Sequence, residues 1–402
     1  MNNEIKIEIL PNLFLNDKGI FDREKALDLC GKIAGVCYDK EGFNNLKDED
    51  VFKTNRRIEM TLNNGHHSVY DHIFINLNIH NIPKMLAMVI NNEKEYTTSE
   101  KSARYTKIIR SEDSIITKKE EYLYNKWCNI FENEIRLLYG KQLNDNKIKK
   151  LAQENARYLV TVFMPTEMIY TTSLRQINYI ASWMIEYYKN KNNNITEFEI
   201  ILNKHMKNFI NELDRLNLLD ERLMTNDKYR KLSLFGTNID QIDEYFGNVY
   251  STNYLATFAY LAQAQRHRTI DYQMQIMQDK KYFIPPIIKE NQHLTSLWLG
   301  DLNDINKNGV IPQGELVLIN ELGKYEDFIL KCKERLCTCA QLEIMLKTKE
   351  ILEKYKNELE KNNHFLKEDI LKYSNGARCT FPDFICKSDC KFKEGKRLIR
   401  KI

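Results

Sequence analysis

The stretch HIFINLNIH, residues 72–80, alternates apolar and polar side chains with a period of two. The apolar set on one face is Ile73, Ile75, Leu77 and Ile79. This alternation predicts a half-buried strand. Pro83 follows, and the apolar spacing after it predicts a helix, since proline is favoured in a first helical turn. A strand that leads directly into a helix is therefore the first predicted unit of the fold.

Helical spacing dominates most of the remaining chain. It predicts helices at 24–40, 120–140, 147–163, 166–190, 196–219 and 254–277, and a strongly helical stretch at 315–361. Two stretches, 282–288 and 298–312, contain prolines and glycines and are predicted to be loop-rich. Glycines and acidic residues at 225–247 indicate a domain boundary. The fold class is α+β, with small antiparallel or mixed sheets and long helices.

Composition excludes several classes of protein. The 402 residues allow two or three domains. A net charge of +4, from 60 basic and 56 acidic residues, is too even for a dedicated nucleic-acid binder. The N-terminal apolar stretch contains acidic residues and does not resemble a signal peptide, and no run approaches a membrane span. We expect a cytoplasmic protein whose nine cysteines are mostly reduced.

The motif AQAQRHRTIDYQMQ, residues 262–275, places Arg266, His267 and Arg268 in a row. Adjacent cations repel one another, so an anionic ligand would explain the cluster. Taken alone, a solvated basic helix face is the better interpretation. Companion motifs elsewhere in the chain reverse that preference.

The first half carries HHSVYDH at 66–72, the predicted strand and helix, and then NEKEYTTSEKSARY at 92–105. This order resembles the flavin-dependent thymidylate synthases. Ser102, Arg104 and Tyr105 fit the S-x-R-Y end of that family's motif. The R-H-R that should precede this end is absent, because Asn92, Glu93 and Lys94 occupy its place, and Thr97 replaces the middle serine.

The second half shows the complementary loss. LAQAQRHRTIDY supplies R-H-R, with Gln263 three residues before it, but Ile276 and Gln278 replace the later serine and arginine. ERLCTCAQLEI at 334–344 resembles the family's R-L-C-x-x-A-Q-x-E-I. It supplies Arg335, whose counterpart in the first half is Met184.

The resemblance therefore implies two fused repeats, at 1–225 and 235–350, followed by a C-terminal helix and a cysteine-bearing basic tail at 351–402. Each repeat keeps what the other has lost, as expected where composite sites draw on both repeats. Two chains would then rebuild the family's four-repeat assembly as a homodimer, with two complete sites.

The resemblance also implies a reaction and its residues. The family methylates dUMP reductively to dTMP, using 5,10-methylenetetrahydrofolate, FAD and NADPH. Residues expected to bind a dUMP-like nucleotide are Glu100, Ser102, Arg104, Arg157, Gln263, Arg266 and Arg335. Residues expected to bind the flavin are Ser68, Asp71, Ser173, Arg175, Arg266, His267 and Arg268. Catalytic roles are expected for Arg335, Tyr105 and His66, and arginine forks suit phosphate because they form paired, charge-assisted bonds.

Alternatives remain open at the level of sequence. Ser173 stands where the family has asparagine, a departure that bears on flavin affinity and turnover. Action on another pyrimidine nucleotide, or transfer of another one-carbon unit, is a separate alternative. A non-catalytic nucleotide- or flavin-binding homologue is a further alternative. Cys379, Cys386 and Cys390 lack a tight C-x2-C pair, so no metal site is predicted there, and Lys391–Lys401 is expected to be a flexible solvated tail. Cys337 and Cys339 are expected to be small core residues.

Overall fold

The computed structural model describes residues 4–102, 116–189, 196–225, 234–307, 309–387, 390–392 and 395–402. The chain forms two compact units. Unit 1 comprises Met1–Lys101 and Pro165–Leu232, and unit 2 comprises Ser102–Met164 and Ser233–Ile402.

Eight strands are present in the described residues. They are β1 (Lys6–Ile9), β2 (Phe74–Pro83), β3 (Thr97–Glu100), β4 (Pro165–Ser173), β5 (Tyr245–Phe246), β6 (Val249–Thr257), β7 (Asp271–Ile276) and β8 (Leu316–Lys324).

The same part of the chain contains fifteen α-helices. They are α1 (Arg23–Gly35), α2 (Phe43–Leu46), α3 (Val51–Asn63), α4 (Lys84–Ile90), α5 (Lys118–Tyr139), α6 (Asp145–Ala156), α7 (Leu174–Lys189), α8 (Glu197–Arg215), α9 (Glu221–Met224), α10 (Phe258–Ala264), α11 (Pro286–Lys289), α12 (Gln292–Lys307), α13 (Tyr325–Arg335), α14 (Leu342–Lys361) and α15 (Lys367–Leu371).

Unit 1 is built on an antiparallel sheet of order β1-β2-β4-β3. The strand predicted from the alternation at 72–80 is confirmed as β2, where Ile75, Leu77 and Ile79 are buried and Phe74 is 59% exposed. The register with β4 shifts between Ile79 and Ile82. After Pro83 the chain enters α4, all of whose residues are buried, so the predicted strand–helix unit is confirmed as well.

Unit 2 is built on a second antiparallel sheet, of order β5-β6-β8-β7. The strand order matches that of the first sheet position by position. In both sheets the second strand leads into a short helix, α4 or α10, and the fourth leads into a longer one, α7 or α13. The α+β class is confirmed, and the shared order is what a duplication would produce, although the tandem repeat itself stays a prediction.

The units do not follow the predicted repeat boundaries. Helices α5 and α6, expected in the first repeat, belong to unit 2. There the ring of Trp127 meets Trp298 edge-on, with centroids 4.7 Å apart, and its Nε1 donates to Asp301 Oδ2 at 2.7 Å. The C-terminal residues 351–402 are part of unit 2 and do not form a unit of their own.

Several predicted helices are wrong in part. The helix predicted at 254–277 is the end of β6, the short α10, a turn and β7. The first residues of the helix predicted at 166–190 form β4, and residues 316–324 form β8. Conversely, much of the stretch predicted as loop at 298–312 lies in α12.

The tail predicted to be flexible is packed instead. Leu398, Arg400 and Ile402 are at most 2% exposed. Arg400 donates to the carbonyl of Ala340, and the backbone N–H of Lys401 donates to the hydroxyl of Tyr139 at 3.1 Å. Apolar side chains interspersed with the basic ones anchor this end in the core of unit 2. Among the described helices, none is long and apolar enough to cross a bilayer.

Candidate active site

The R-H-R motif lies in the turn after α10. Thr257 caps the helix by accepting the N–H of Tyr260, and the helix ends before Gln265. The turn is closed by the N–H of His267, which donates to the carbonyl of Ala264 at 2.9 Å. Because the chain is no longer helical here, Arg266 and Arg268 are exposed while His267 is buried.

His267 holds Arg335, the last residue of α13. Arg335 Nε donates to His267 Nε2 at 2.7 Å. Burial, followed by the charges of Arg335 and Lys331, lowers the pKa of His267 from 6.5 to about 2, so the ring is neutral and accepts this hydrogen bond. The carboxylate of Glu334 lies near both, 3.8 Å from His267 Nδ1 and 3.7 Å from Arg335 Nη2.

This placement differs from the role expected for His267. The resemblance assigns it to flavin binding alongside two arginines. In the structure its Nε2 faces Arg335 in the protein interior, whereas Arg266 and Arg268 point to the surface. The three side chains of the motif therefore do not form one continuous cationic patch.

A buried ion pair lies one turn before Arg335. Lys331 Nζ donates to Glu321 Oε2 at 2.6 Å, and both side chains have zero exposure. Tyr250 and Tyr254 also donate to this carboxylate, and Lys331 further contacts the hydroxyl of Tyr260 at 3.2 Å. Burial lowers the pKa of Lys331, and the surrounding hydroxyls and Glu321 compensate its charge.

Glu343, fully buried at the start of α14, connects α10 to the segment that carries Arg157. Its Oε1 accepts the N–H of Thr257 at 2.9 Å, and its Oε2 accepts the hydroxyls of Thr257 at 2.7 Å and Tyr158 at 2.8 Å. Gln341 donates to the same Tyr158 hydroxyl and caps α14 through Ile344. Sequence reasoning assigned no role to Gln341 or Glu343, although the Q-x-E part of the matched motif was a signal for both.

Arg157 is 4% exposed and begins the 3₁₀ turn Arg157–Leu159. Within the described part of the chain, its Nε and Nη2 are buried with no hydrogen-bond partner. Since native structures pair nearly all buried donors, these two N–H groups are suited to an anion. Arg157, Gln263, Arg266 and Arg335 all belong to unit 2, although the repeat hypothesis places Arg157 in the first repeat.

Three of the residues expected to bind flavin meet in unit 1. Asp71 accepts a 2.7 Å hydrogen bond from the Ser173 hydroxyl and pairs with Arg175 at 2.7 Å. Ser173 Oγ in turn accepts the N–H of Gln176, in the first turn of α7. The Asp71 and Arg175 side chains are 44% and 36% exposed, so the group is open to solvent.

The remaining predicted residues are not part of this hydrogen-bonded group, although Ser68 lies in the same 3₁₀ helix as Asp71. His66 and Ser68 are exposed, and the neighbouring His67 is the buried one, with Nε2 2.9 Å from the carbonyl oxygen of Leu62. Glu100 on β3 forms an ion pair with Lys84, and both side chains are largely buried.

Only the serine of the S-x-R-Y motif lies within the described residues. Ser102 is half-buried, and Arg104 and Tyr105 lie outside the described residues. No group of three or more potential ligands in the described ranges is arranged to hold a metal ion.

Part of the chain is similar to a known protein family. Residues 20–186 match the family model of the thymidylate synthase complementing protein. The match confirms the resemblance seen in the sequence, and it covers less than half of the 402-residue chain. The matched segment contains β2, β3 and β4. The second sheet, which is formed by β5 to β8, lies outside it.

The solved structures that are similar to this chain include the following two. The UMP/dUMP methylase PolB from Streptomyces cacaoi, bound with 5-Br dUMP, is 14% identical over 55% of this chain and 93% of its own, with a TM-score of 0.33. Thymidylate Synthase X from Helicobacter pylori, with FAD and dUMP, is 15% identical over 55% of this chain and 99% of its own, with a TM-score of 0.31. Among curated proteins no match is found.

Proposed function

We propose that the chain is a flavin-dependent nucleotide methylase that converts dUMP to dTMP with 5,10-methylenetetrahydrofolate, FAD and NADPH. The family match over residues 20–186 supports the reaction class. The observation that carries the proposal is the buried, incompletely bonded guanidinium of Arg157.

Arg157 is the proposed phosphate-binding residue. Leaving a buried donor without a partner costs about 1–3 kcal/mol, and more for a charged group. A nucleotide monophosphate supplies oxygens that would satisfy both N–H groups and compensate the charge. Glu343 anchors Tyr158 next to Arg157 and Thr257 at the start of α10, which leads to Gln263 and Arg266. These residues are our candidates for completing the nucleotide site.

Arg335 is the proposed electrophilic residue. A carboxylate in place of His267 would hold the guanidinium but would also neutralise it. The neutral imidazole positions Nε without adding a second negative charge to that of Glu334, whose carboxylate lies 3.7 Å from Arg335 Nη2. The positive charge of Arg335 would stabilise negative charge developing on the pyrimidine ring during methyl transfer.

The flavin, when bound, would supply the hydride chemistry. Arg266 and Arg268 are exposed and fit its pyrophosphate. Arg175 fits less well because Asp71 already neutralises it. Ser68 and His66, both exposed, are candidates for further flavin contacts, and Tyr105 and Arg104 keep the roles that the resemblance implies.

We further propose that the two repeats supply complementary parts of one residue set and that the chain acts as a homodimer. Membership of Arg157 in the same compact unit as Gln263 and Arg335 supports a set that is assembled at least partly within one chain.

The test compares the wild type with Arg157→Met. We expect dUMP to bind the variant 10–100-fold more weakly, because two hydrogen bonds to a charged group are lost. Arg136→Met is the matched control, since Arg136 forms an exposed ion pair with Asp145 in the same unit. Isothermal calorimetry measures both, and unchanged dUMP affinity in Arg157→Met would refute the phosphate assignment.

Activity is tested on the full-length protein by mass-spectrometric detection of methylated nucleotide from dUMP and, in parallel, from UMP. If the protein remains colourless after incubation with FAD, the flavoenzyme assignment is refuted. Growth of a thymidine-requiring strain carrying the gene would establish dTMP synthesis, and methylation of UMP alone would reassign the substrate.

A further inference from the structure

Two thiols lie on the turn that follows Arg335. The N–H of Cys337 donates to the carbonyl of Arg335 at 2.7 Å, and the N–H of Ala340 donates to the carbonyl of Cys337 at 2.9 Å. Within this turn the N–H of Cys339 donates to Cys337 Sγ at 3.4 Å. The sulfur of Cys337 is therefore directed at the residue that carries the second thiol. The turn also differs from the core position expected for both cysteines, because Cys339 is exposed and Cys337 is half-buried.

An arginine faces the same turn. The N–H of Arg378 donates to the carbonyl of Leu336 at 2.7 Å, which holds the 3₁₀ turn Arg378–Thr380 against the end of α13. Its Nη1 reaches the carbonyl of Lys333 at 3.4 Å, and its Nε is buried with no hydrogen-bond partner among the described residues. Arg378 thus brings a cation next to Cys337.

These contacts distribute the protons unequally between the thiols. The hydrogen bond from the Cys339 thiol, then the Cys339 N–H and the charge of Arg378, lower the pKa of Cys337 to about 5. The same shared hydrogen bond and burial raise the pKa of Cys339. At neutral pH, Cys337 is therefore the thiolate and Cys339 the proton donor, which is the arrangement of an attacking thiol and its resolving partner.

We propose that Cys337 and Cys339 form a reactive dithiol that hydroperoxides oxidise to an intrachain disulfide. In the first step the Cys337 thiolate attacks the peroxide, forms an S–O bond and breaks the O–O bond, and hydroxide or alkoxide leaves. In the second step the Cys339 sulfur attacks the sulfenic sulfur, forms the S–S bond and displaces hydroxide, which takes the thiol proton and leaves as water. The peroxide is reduced and the two thiols lose two electrons. The proposal is independent of nucleotide methylation.

Other described cysteines provide internal comparisons. Cys30, Cys128 and Cys332 are buried, whereas Cys386 is exposed. Cys390 is the competing partner for a disulfide. A Cβ added at Gly395 would lie 2.8 Å from Cys390 Sγ and 3.7 Å from Thr338, the residue between the two thiols.

The experiment treats the reduced full-length protein with one equivalent of hydrogen peroxide, alkylates it and digests it with trypsin. Both thiols fall in the tryptic peptide Leu336–Lys347. We expect this peptide to lack two hydrogens and to carry no alkyl group, while Cys386 is fully alkylated. In Cys339→Ser we expect a sulfenic acid on Cys337 that dimedone traps. A peptide alkylated at both thiols, or a disulfide to Cys390, would overturn the proposal.

The rate of alkylation tests the reactivity of the Cys337 thiol separately from its disulfide formation with Cys339. At pH 6.5 we expect iodoacetamide to label Cys337 faster in the wild type than in Arg378→Met, with the labelling of Cys386 unchanged between the two. Arg378→Lys, which keeps the charge, should recover most of the rate. Circular dichroism confirms that each variant is folded. Equal labelling of Cys337 in all three folded proteins would overturn the role of Arg378 as an activating cation.

Discussion

Arg335 at the end of α13 donates its Nε–H to Nε2 of His267, a buried ring that remains neutral across the physiological pH range. A cation is thus held by a neutral acceptor in the interior of unit 2. His267 therefore points away from Arg266 and Arg268, the two arginines that flank it in the motif, because these face solvent. The histidine therefore acts as a positioning residue for Arg335.

Replacing His267 tests this role. In His267→Leu the hydrogen bond to the guanidinium is lost, which is worth about 1.5–3 kcal/mol, and we expect kcat for nucleotide methylation to fall roughly 10–100-fold. His267→Gln keeps a neutral acceptor and should recover part of kcat. Steady-state kinetics with varied dUMP check this, and an equal loss in both folded variants would contradict the positioning role.

The same histidine makes stability depend on pH. Its folded-state pKa, about 2, lies below the unfolded value of 6.5 because of burial and the charges of Arg335 and Lys331. Between these values the unfolded chain binds a proton that the folded chain does not. The contribution of His267 to the free energy of unfolding is therefore fully present above pH 6.5 and is lost as the pH falls through this window.

From pH 7 to pH 5 this single group should reduce the free energy of unfolding by about 2 kcal/mol. His267→Gln should lose correspondingly less than the wild type in urea titrations at the two pH values. His205, whose pKa burial lowers to about 4, contributes in the same direction in both proteins and cancels in the comparison. An identical pH dependence in the two proteins would exclude the buried neutral state.

The limits of sequence prediction lie at the strand–helix junctions. The alternation at 72–80 identified β2 because a proline separates it from α4. At Thr257–Phe258 and Lys324–Tyr325 the chain passes from strand to helix with no intervening loop. A change of apolar period within one residue leaves no turn signal, and the end of β6 and all of β8 were therefore predicted as helix.

The site was predicted unevenly for a related reason. The motif pointed to Arg335 and His267, but not to their mutual hydrogen bond, because contact between residues 68 positions apart depends on how the sheet and α13 pack. Glu343 was overlooked since a buried carboxylate and an exposed one are identical in sequence. Its three donors, from Thr257 and Tyr158, become visible only in the folded chain.

Removal of the Glu343 carboxylate should disrupt unit 2. Glu343→Ala leaves the N–H of Thr257 and two hydroxyls without their acceptor, and we expect a loss of about 3–5 kcal/mol in the free energy of unfolding. Nucleotide affinity should fall as well, because α10 and the Arg157 segment lose their common anchor. Glu350→Ala, on the exposed side of the same helix, should change stability by less than about 0.5 kcal/mol. Urea unfolding measures both, and a similar small loss in each would show that Glu343 does not anchor α10.

The buried pair Lys331–Glu321 should show strong non-additivity. Lys331→Met leaves the Glu321 carboxylate uncompensated and should cost about 3–5 kcal/mol. The double variant Lys331→Met/Glu321→Gln removes both charges and should recover a large part of that loss. Lys333→Met is the control, because Lys333 forms a half-exposed pair with Asp383 worth about 0–1 kcal/mol. Additive losses in the double-mutant cycle would contradict direct coupling.

Asp71 separates two explanations of the group in unit 1. The resemblance assigns Asp71, Ser173 and Arg175 to the flavin, but Asp71 is bonded to both of the others. The pair with Arg175 is half-exposed, so Asp71→Asn should change the free energy of unfolding by less than about 1 kcal/mol. If Arg175 faces the pyrophosphate, removal of the competing carboxylate should tighten FAD binding roughly 2–5-fold. If Asp71 itself holds the flavin, the same substitution should weaken binding, since the amide replaces an ionised acceptor. Fluorescence titration with FAD distinguishes tighter from weaker binding.

Arg175→Met, alone and combined with Asp71→Asn, completes the double-mutant cycle. We expect the gain in FAD affinity from Asp71→Asn to vanish when Arg175 is absent, because the carboxylate then has no cation to neutralise.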